Sequence, residues 1–174
     1  EAALEIPLKV TGKIKDIRKI LADTLGVPSG SVKAKIHSIE HHHAHMASAF
    51  FVSGFKSAAC VSVDGFGDFV SMMWGEGKDN AIETRDEVYF PHSLGLFYLA
   101  LTQYLGFMNY GDEYKVMGLA PYGRPLKMDA MRSIVKLSPQ GKFELDLNFF
   151  LHHAEGVLMS WDNGEPAIGK VFTQ

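Results

Sequence analysis

The sequence predicts an α/β fold in which a three-stranded antiparallel meander is followed by helices. Three observations carry this reading. Between residues 57 and 88, three short strand-like runs are separated by two Gly-, Asp- and Asn-containing turns. Ahead of them, Ile14, Ile17, Ile20, Leu21 and Leu25 recur at helical spacing. After them, residues 93–105 are apolar on most sides, the pattern of a buried helix.

Taken in order, the first helix spans 13–25 and is ended by Gly26 and then Pro28. A short strand is expected at 34–39, leading into a histidine-bearing helix at 41–53 that stops at Gly54. The meander comprises strands at 57–63, 69–74 and 81–88, with turns at 64–68 and 75–80. The buried helix at 93–105 comes next. Residues 106–125 are rich in Gly, Pro and Tyr and contain a short helical piece, residues 126–137 read as helix, and 142–147 as a strand.

The chain has 174 residues, 47% of them apolar, enough for a real core in one domain or part of a larger one. A net charge of −3 with no basic stripe argues against a nucleic-acid partner or a membrane surface. No apolar stretch approaches the length of a membrane span, and no signal peptide is visible. The lone Cys60 excludes an internal disulfide framework and fits a reducing, cytoplasmic setting; its apolar neighbours Ala58, Ala59 and Val61 mark it as a core residue. The chain begins at Glu1 without Met, which suggests a piece of a longer protein.

Residues 40–50, Glu-His-His-His-Ala-His-Met-Ala-Ser-Ala-Phe, are the densest chemical signal. On a helix with about 100° per residue, His41, His42 and His45 share one face and His43 points away. His41 and His45 are one turn apart, so their imidazoles project side by side as two ligands of a divalent metal. His42 occupies the position where a His-Glu-x-x-His protease carries its Glu, which argues against that class. Imidazole ligands suit several metals. His152 and His153 are adjacent on the chain and do not face each other on a helix, so a structural or exposed role is expected.

Two further motifs stand out. In Asp64-Gly65-Phe66-Gly67-Asp68, glycines let a backbone approach a phosphate with N–H groups free to donate, and Asp64 is placed to orient water or a metal-bound phosphate; as a bare Asp-Gly sequence it is also an ordinary turn. Residues 106–123 form a dense glycine- and aromatic-rich loop in which Asp112, Glu113 and Lys115 are candidates for binding a polar substrate; Asp112 is also placed to cap the short helix.

Together, His-His-x-Ala-His-x-Ala-Ser-Ala-Phe at 41–50, Asp-Gly-x-Gly-Asp at 64–68 and Gly-Asp-Glu-Tyr-Lys-Val-Met-Gly-Leu-Ala-Pro-Tyr-Gly at 111–123 resemble the O-carbamoyltransferase family of nodulation-factor, cephamycin and aminoglycoside biosynthesis. The resemblance spans roughly 35–125. It implies part of an actin/Hsp70-like ATPase (ribonuclease H-like) fold, with residues 1–174 belonging to one N-terminal transferase domain. A separate C-terminal YrdC-like domain, absent from this sequence, would make carbamoyladenylate from carbamoyl phosphate and ATP. The carbamoyl group would then pass to a hydroxyl of a small metabolite.

By this resemblance His41 and His45 bind the metal, iron with zinc or manganese as alternatives, and Gly65, Gly67 and Asp68 lie near the nucleotide phosphates. The family's first phosphate loop is not visible before residue 35, and its later metal-binding Asp is expected beyond residue 174. The chain alone is therefore expected to be inactive and to need the remainder of its own polypeptide. On chemical grounds Asp64 is a catalytic candidate and His42 a candidate base. Two alternatives stand beside the transferase: a metal-dependent hydrolase with Asp64 as third ligand, and a non-catalytic nucleotide-binding module of the same fold.

Overall fold

The computed structural model describes residues 17–109 and 111–157, which fall into two units, Glu1–Glu40 and His41–Gln174. In the first unit, helix α1 (Ile17–Leu25) ends at Gly26, whose φ of 66° is the left-handed conformation glycine adopts without strain. Val27 N–H closes back on Ala22 C=O at 3.0 Å and Gly26 N–H on Asp23 C=O at 3.3 Å, a Schellman stop. Residues 13–16 of the expected helix lie outside the described residues. The strand expected at 34–39 does not form. Residues 33–39 are exposed and pair with no strand among the described residues, so their β-branched content finds no sheet to join.

The second unit opens with α2 (His41–Phe50), followed by β1 (Ser57–Gly67), β2 (Val70–Lys78) and β3 (Ala81–Tyr89). These strands form an antiparallel sheet in the order β1-β2-β3, the meander the sequence predicts. The strands are longer than expected because both turns shrink to two residues. The first turn is Asp68-Phe69, with φ of 48° and 71°, the twist a tight hairpin needs. The second is Asp79-Asn80, with Lys78 and Ala81 paired across it.

The glycines expected in the second turn lie inside β2, where they permit close approach. A Cβ on Gly75 would stand 2.2 Å from Glu83 O, and one on Gly77 would stand 2.7 Å from the Phe50 ring. Thus α2 lies directly on β2.

One hydrophobic cluster joins α2 to the sheet through Met46, Phe50, Cys60, Val70 and Met73. Cys60 is a buried free thiol within it, the core role read from its neighbours. A second cluster joins Val88 to α3 (Leu94–Tyr104), α5 (Met128–Ile134) and the hairpin of β4 (Val135–Leu137) with β5 (Phe143–Leu145), through Ala100, Ile134, Phe143, Leu145 and Phe150. In the chain, α4 (Glu113–Leu119) lies between α3 and α5. Residues 135–137, expected to continue a helix, instead pair with β5. The β-branched Val135 starts that strand, and Phe143 and Leu145 bury its partner face. A four-residue helix α6 (His152–Glu155) follows. No helix among the described residues is long and apolar enough to cross a membrane.

Candidate metal centre

Helix α2 is fixed from both sides. Met46 and Phe50, four apart, are buried in the core cluster. His42 is fully buried, with Nδ1 2.8 Å from Ser62 Oγ and Nε2 2.8 Å from Val70 O. The helix N-terminus receives a cap from the hairpin turn: His41 N–H donates to Asp68 Oδ2 at 3.0 Å, meeting one of the unpaired donors of the first turn. With that anchoring, the half-exposed His41 and His45 project toward the end of β1.

There they meet Asp64. Nε2 of His41 lies 3.0 Å from Asp64 Oδ2 and 3.0 Å from Nε2 of His45, and His45 Nε2 lies 3.6 Å from the same carboxylate oxygen. Asp64 reaches this position through an irregularity in β1. Val63 pairs with Met72 and Gly67 with Val70, so residues 64–66 stand opposite Ser71 alone. Such a bulge re-aims a side chain that a regular strand would place differently.

Two glycines permit the approach. A Cβ on Gly67 would lie 2.1 Å from Cγ of the His41 ring, and one on Gly95 would lie 2.7 Å from Cα and N of Gly65. Ser93, fully buried, donates to Gly65 O at 2.5 Å, faces Asp64 O at 3.2 Å, and accepts Leu96 N–H as the cap of α3.

The ring N–H of His41 beside Asp64 holds its carboxyl below the ordinary carboxylate range, against partial desolvation and with help from the Gly65 N–H. His41 Nε2 stands 3.0 Å from both the Asp64 carboxylate and His45 Nε2, so three lone-pair-bearing atoms converge. A single cation among them would meet all three at once. The three ligand atoms lie within 4.8 Å of one another. Bonds of about 2.0–2.2 Å place neighbouring ligand atoms about 3–3.6 Å apart, and the three separations here are 3.0, 3.0 and 3.6 Å. The donor set therefore fits a divalent metal.

The other expected site residues are placed as follows. His41, His45 and Asp64 come together. His42 does not join their open face: both of its ring nitrogens are occupied by Ser62 and Val70, so the expected base role gives way to a packing role. Gly65 does not present a free N–H, which donates to Asp64 Oδ1 at 2.6 Å. Gly67 makes room for His41, and Asp68 caps α2.

Asp112 is buried, accepting from Asn109 N–H and Nδ2 at 3.2 Å each and from Lys115 Nζ at 2.7 Å, and it makes no side-chain cap to α4. Glu113 C=O accepts from Tyr98 O–H at 3.0 Å, tying α4 to α3. His152 is buried against Phe90 and Phe150, the structural role expected of it. Ser62, Ser93 and Gly95 were not singled out by sequence reasoning. Ser93 alone left a signal, a serine just ahead of an apolar helix.

Comparison with known proteins bears on this geometry. Residues 9–162 match the family described as Carbamoyltransferase N-terminus. The chain is 43% identical over 122 residues to the uncharacterized protein sll1178 of Synechocystis sp., an alignment covering 70% of this chain and 20% of the relative. It is 37% identical over 135 residues to nodulation protein NolNO of Sinorhizobium fredii, covering 76% and 19%. It is 48% identical over 89 residues to nodulation protein NolO of Bradyrhizobium diazoefficiens, covering 50% and 16%. The chain thus spans about a fifth of the length of the curated relatives it matches.

Proposed function

This chain belongs to the carbamoyltransferase N-terminus family, and from that membership we propose that it forms part of an enzyme that transfers a carbamoyl group to a hydroxyl of a small metabolite. The donor is carbamoyladenylate, made from carbamoyl phosphate and ATP by a YrdC-like domain elsewhere in the same polypeptide. Transfer forms the carbamate ester and releases AMP. Residues 1–174 then belong to one N-terminal transferase domain of actin/Hsp70-like fold, a reading supported by the antiparallel meander with helices packed against it.

The observation that carries the proposal is the convergence of His41 Nε2, His45 Nε2 and Asp64 Oδ2. These residues would hold a divalent metal, iron with zinc or manganese as alternatives, whose charge when bound would offset that developing on the phosphate as AMP leaves. Asp68 and Gly67 keep His41 in place, the first through the helix N-terminus and the second through clearance. His42 holds α2 to the sheet, so the group that takes the acceptor's hydroxyl proton is a different one. A phosphate-facing role for this loop would rest on the open face of the trio, since the Gly65 N–H and C=O are both engaged.

The test is incubation of the full-length protein with ATP, isotopically labelled carbamoyl phosphate and a panel of polyhydroxylated acceptors. Labelled carbamate ester and AMP are expected, and both should be lost in His41→Ala and His45→Ala. A second reading, a metal-dependent hydrolase, draws on one observation: Asp64 supplies a third ligand from within this chain. Release of phosphate with no acceptor ever labelled would favour it over transfer.

A further inference from the structure

We propose that Ser93 and Gly95, at the start of α3, are positioning residues for Asp64, and that they set how tightly the His41–His45–Asp64 trio holds a metal. The inference rests on the metal reading above and goes beyond it to residues that touch no ligand atom.

Asp64 stands in a stretch of β1 that the sheet does not hold. The ladder to β2 is broken between Val63 and Gly67, so residues 64–66 lack the regular pairing that fixes their neighbours. Its carboxylate is also largely exposed, at 45% of the side chain, so packing does not fix it either. What holds this backbone is the start of α3. Ser93 Oγ donates to Gly65 O and faces Asp64 O, while its second function, accepting Leu96 N–H, ties that contact to the helix. One residue turn further on, Gly95 lies flat against Gly65. Any side chain there would meet Gly65 Cα and N at 2.7 Å and Asp64 C at 2.8 Å. Those are backbone atoms, so the Asp64–Gly65 segment itself must move.

Ser93 attaches the segment to α3 and Gly95 sets how closely it approaches. The Asp64 Oδ2 position, 3.0 Å from His41 and 3.6 Å from His45, follows from both. A metal site tolerates misplacement of a ligand poorly, and loss of supporting hydrogen bonds commonly weakens metal affinity about 10–100-fold.

The experiment measures Zn2+ affinity of the full chain by competition with a chromophoric chelator, and the visible spectrum of the Co2+-loaded protein, for Ser93→Ala and Gly95→Ala. Thr102→Val is the matched control. Thr102 is likewise buried, lies in α3 and donates to Tyr98 O, away from the trio. The expected result is a rise of about 10-fold or more in the Zn2+ dissociation constant for Ser93→Ala and Gly95→Ala, with an altered Co2+ spectrum, and a change within about 2-fold for Thr102→Val.

Wild-type affinity in both Ser93→Ala and Gly95→Ala would overturn the proposal. So would an equal loss in Thr102→Val, which would assign the effect to a softened α3. If Ser93→Ala does not fold, Gly95→Ala decides, because it removes no hydrogen bond. A wild-type chain that binds neither Zn2+ nor Co2+ would overturn the metal reading and this inference with it, whereas metal binding that ignores α3 would overturn this inference alone.

Discussion

Oδ2 of Asp64 lies 3.0 Å from Nε2 of His41 across 23 residues of sequence. The two come from elements that meet only in the folded unit, a helix whose N-terminus is capped by Asp68 and a strand whose ladder breaks at residue 64. The same Nε2 faces His45 at 3.0 Å, so one ring nitrogen stands between an imidazole and a carboxylate. The arrangement matches the metal ligation proposed above.

Removing any one of the three ligands should therefore cost more metal affinity than disturbing their support. His41→Ala, His45→Ala and Asp64→Asn are each expected to weaken Zn2+ binding by more than about 100-fold, above the range for supporting hydrogen bonds. Thermal stability of the metal-free protein should change little, since all three side chains are 38–52% exposed. Chelator competition together with a melting curve without metal checks both halves.

His42 predicts the opposite pattern. It is fully buried and bonded at both ring nitrogens. His42→Ala is expected to lose about 2–4 kcal/mol of stability through the cavity and the unpaired partners it leaves. Ser62→Ala removes one partner only and should cost about 1–3 kcal/mol. Denaturant titration measures both. If His42→Ala kept full stability and abolished activity, a catalytic role would replace the packing one.

Gly67→Ala tests the clearance between the loop and the helix. A methyl group there would stand 2.1 Å from Cγ and 2.2 Å from Cδ2 of His41, so the ring must turn aside. Metal affinity should fall as in a ligand variant although every ligand is still present. The Co2+ spectrum of the variant reports whether His41 has left the site.

How much of this was legible in the sequence differs from element to element. The meander was, because its strand-like runs are separated by breaks that carry turn residues; the strands came out longer because Gly75 and Gly77 serve close approaches in β2 and not a turn. His41 and His45 were legible because helical spacing puts them on one side. His42 was misread because position on a helix tells which residues share a face, not which face the sheet covers, and Ser62 and Val70 lie on distant parts of the chain. The bulge that turns Asp64 toward the histidines has no local signature: Asp-Gly reads equally as a hairpin turn, and the structure puts the turn four residues later at Asp68-Phe69. Gly95 was unreadable, because its reason is a backbone thirty residues away.

His152 predicts how stability responds to mild acid. Its ring is buried, Nε2 lies 2.8 Å from Pro91 O, and burial pushes its pKa below the ordinary 6.5. In the unfolded chain the imidazole protonates near its ordinary value, whereas in the folded protein it stays neutral. The unfolded state therefore binds the extra proton first as pH falls. The contribution of neutral His152 is complete above about pH 6.5 and is lost as pH drops toward the lower folded value. The melting temperature should fall between pH 7.5 and 5.5, and the fall should be smaller in His152→Gln, which keeps a donor for Pro91 O. An unchanged pH profile in that variant would assign the loss to other groups.

Asp112, Glu113 and Lys115 were expected to bind substrate, and their geometry separates them. The Asp112 carboxylate is committed to Asn109 and Lys115, and chiefly the Lys115 hydrogen bond holds its pKa below the ordinary carboxylate value. Its stabilising contribution is present above the unfolded value near about 3.9 and is lost as pH falls through the lower folded one. Asp112→Ala should thus lower the melting temperature at pH 7 by releasing Asn109 and Lys115, and any loss of activity should follow that release. Glu113 accepts the Tyr98 O–H of α3 through its backbone carbonyl, so Glu113→Gln keeps that bond. If this segment binds the acceptor through side chains, Glu113→Gln raises the acceptor KM with the melting temperature and kcat unchanged. A Glu113→Gln enzyme with wild-type KM would leave the segment a purely structural brace between α3 and α4.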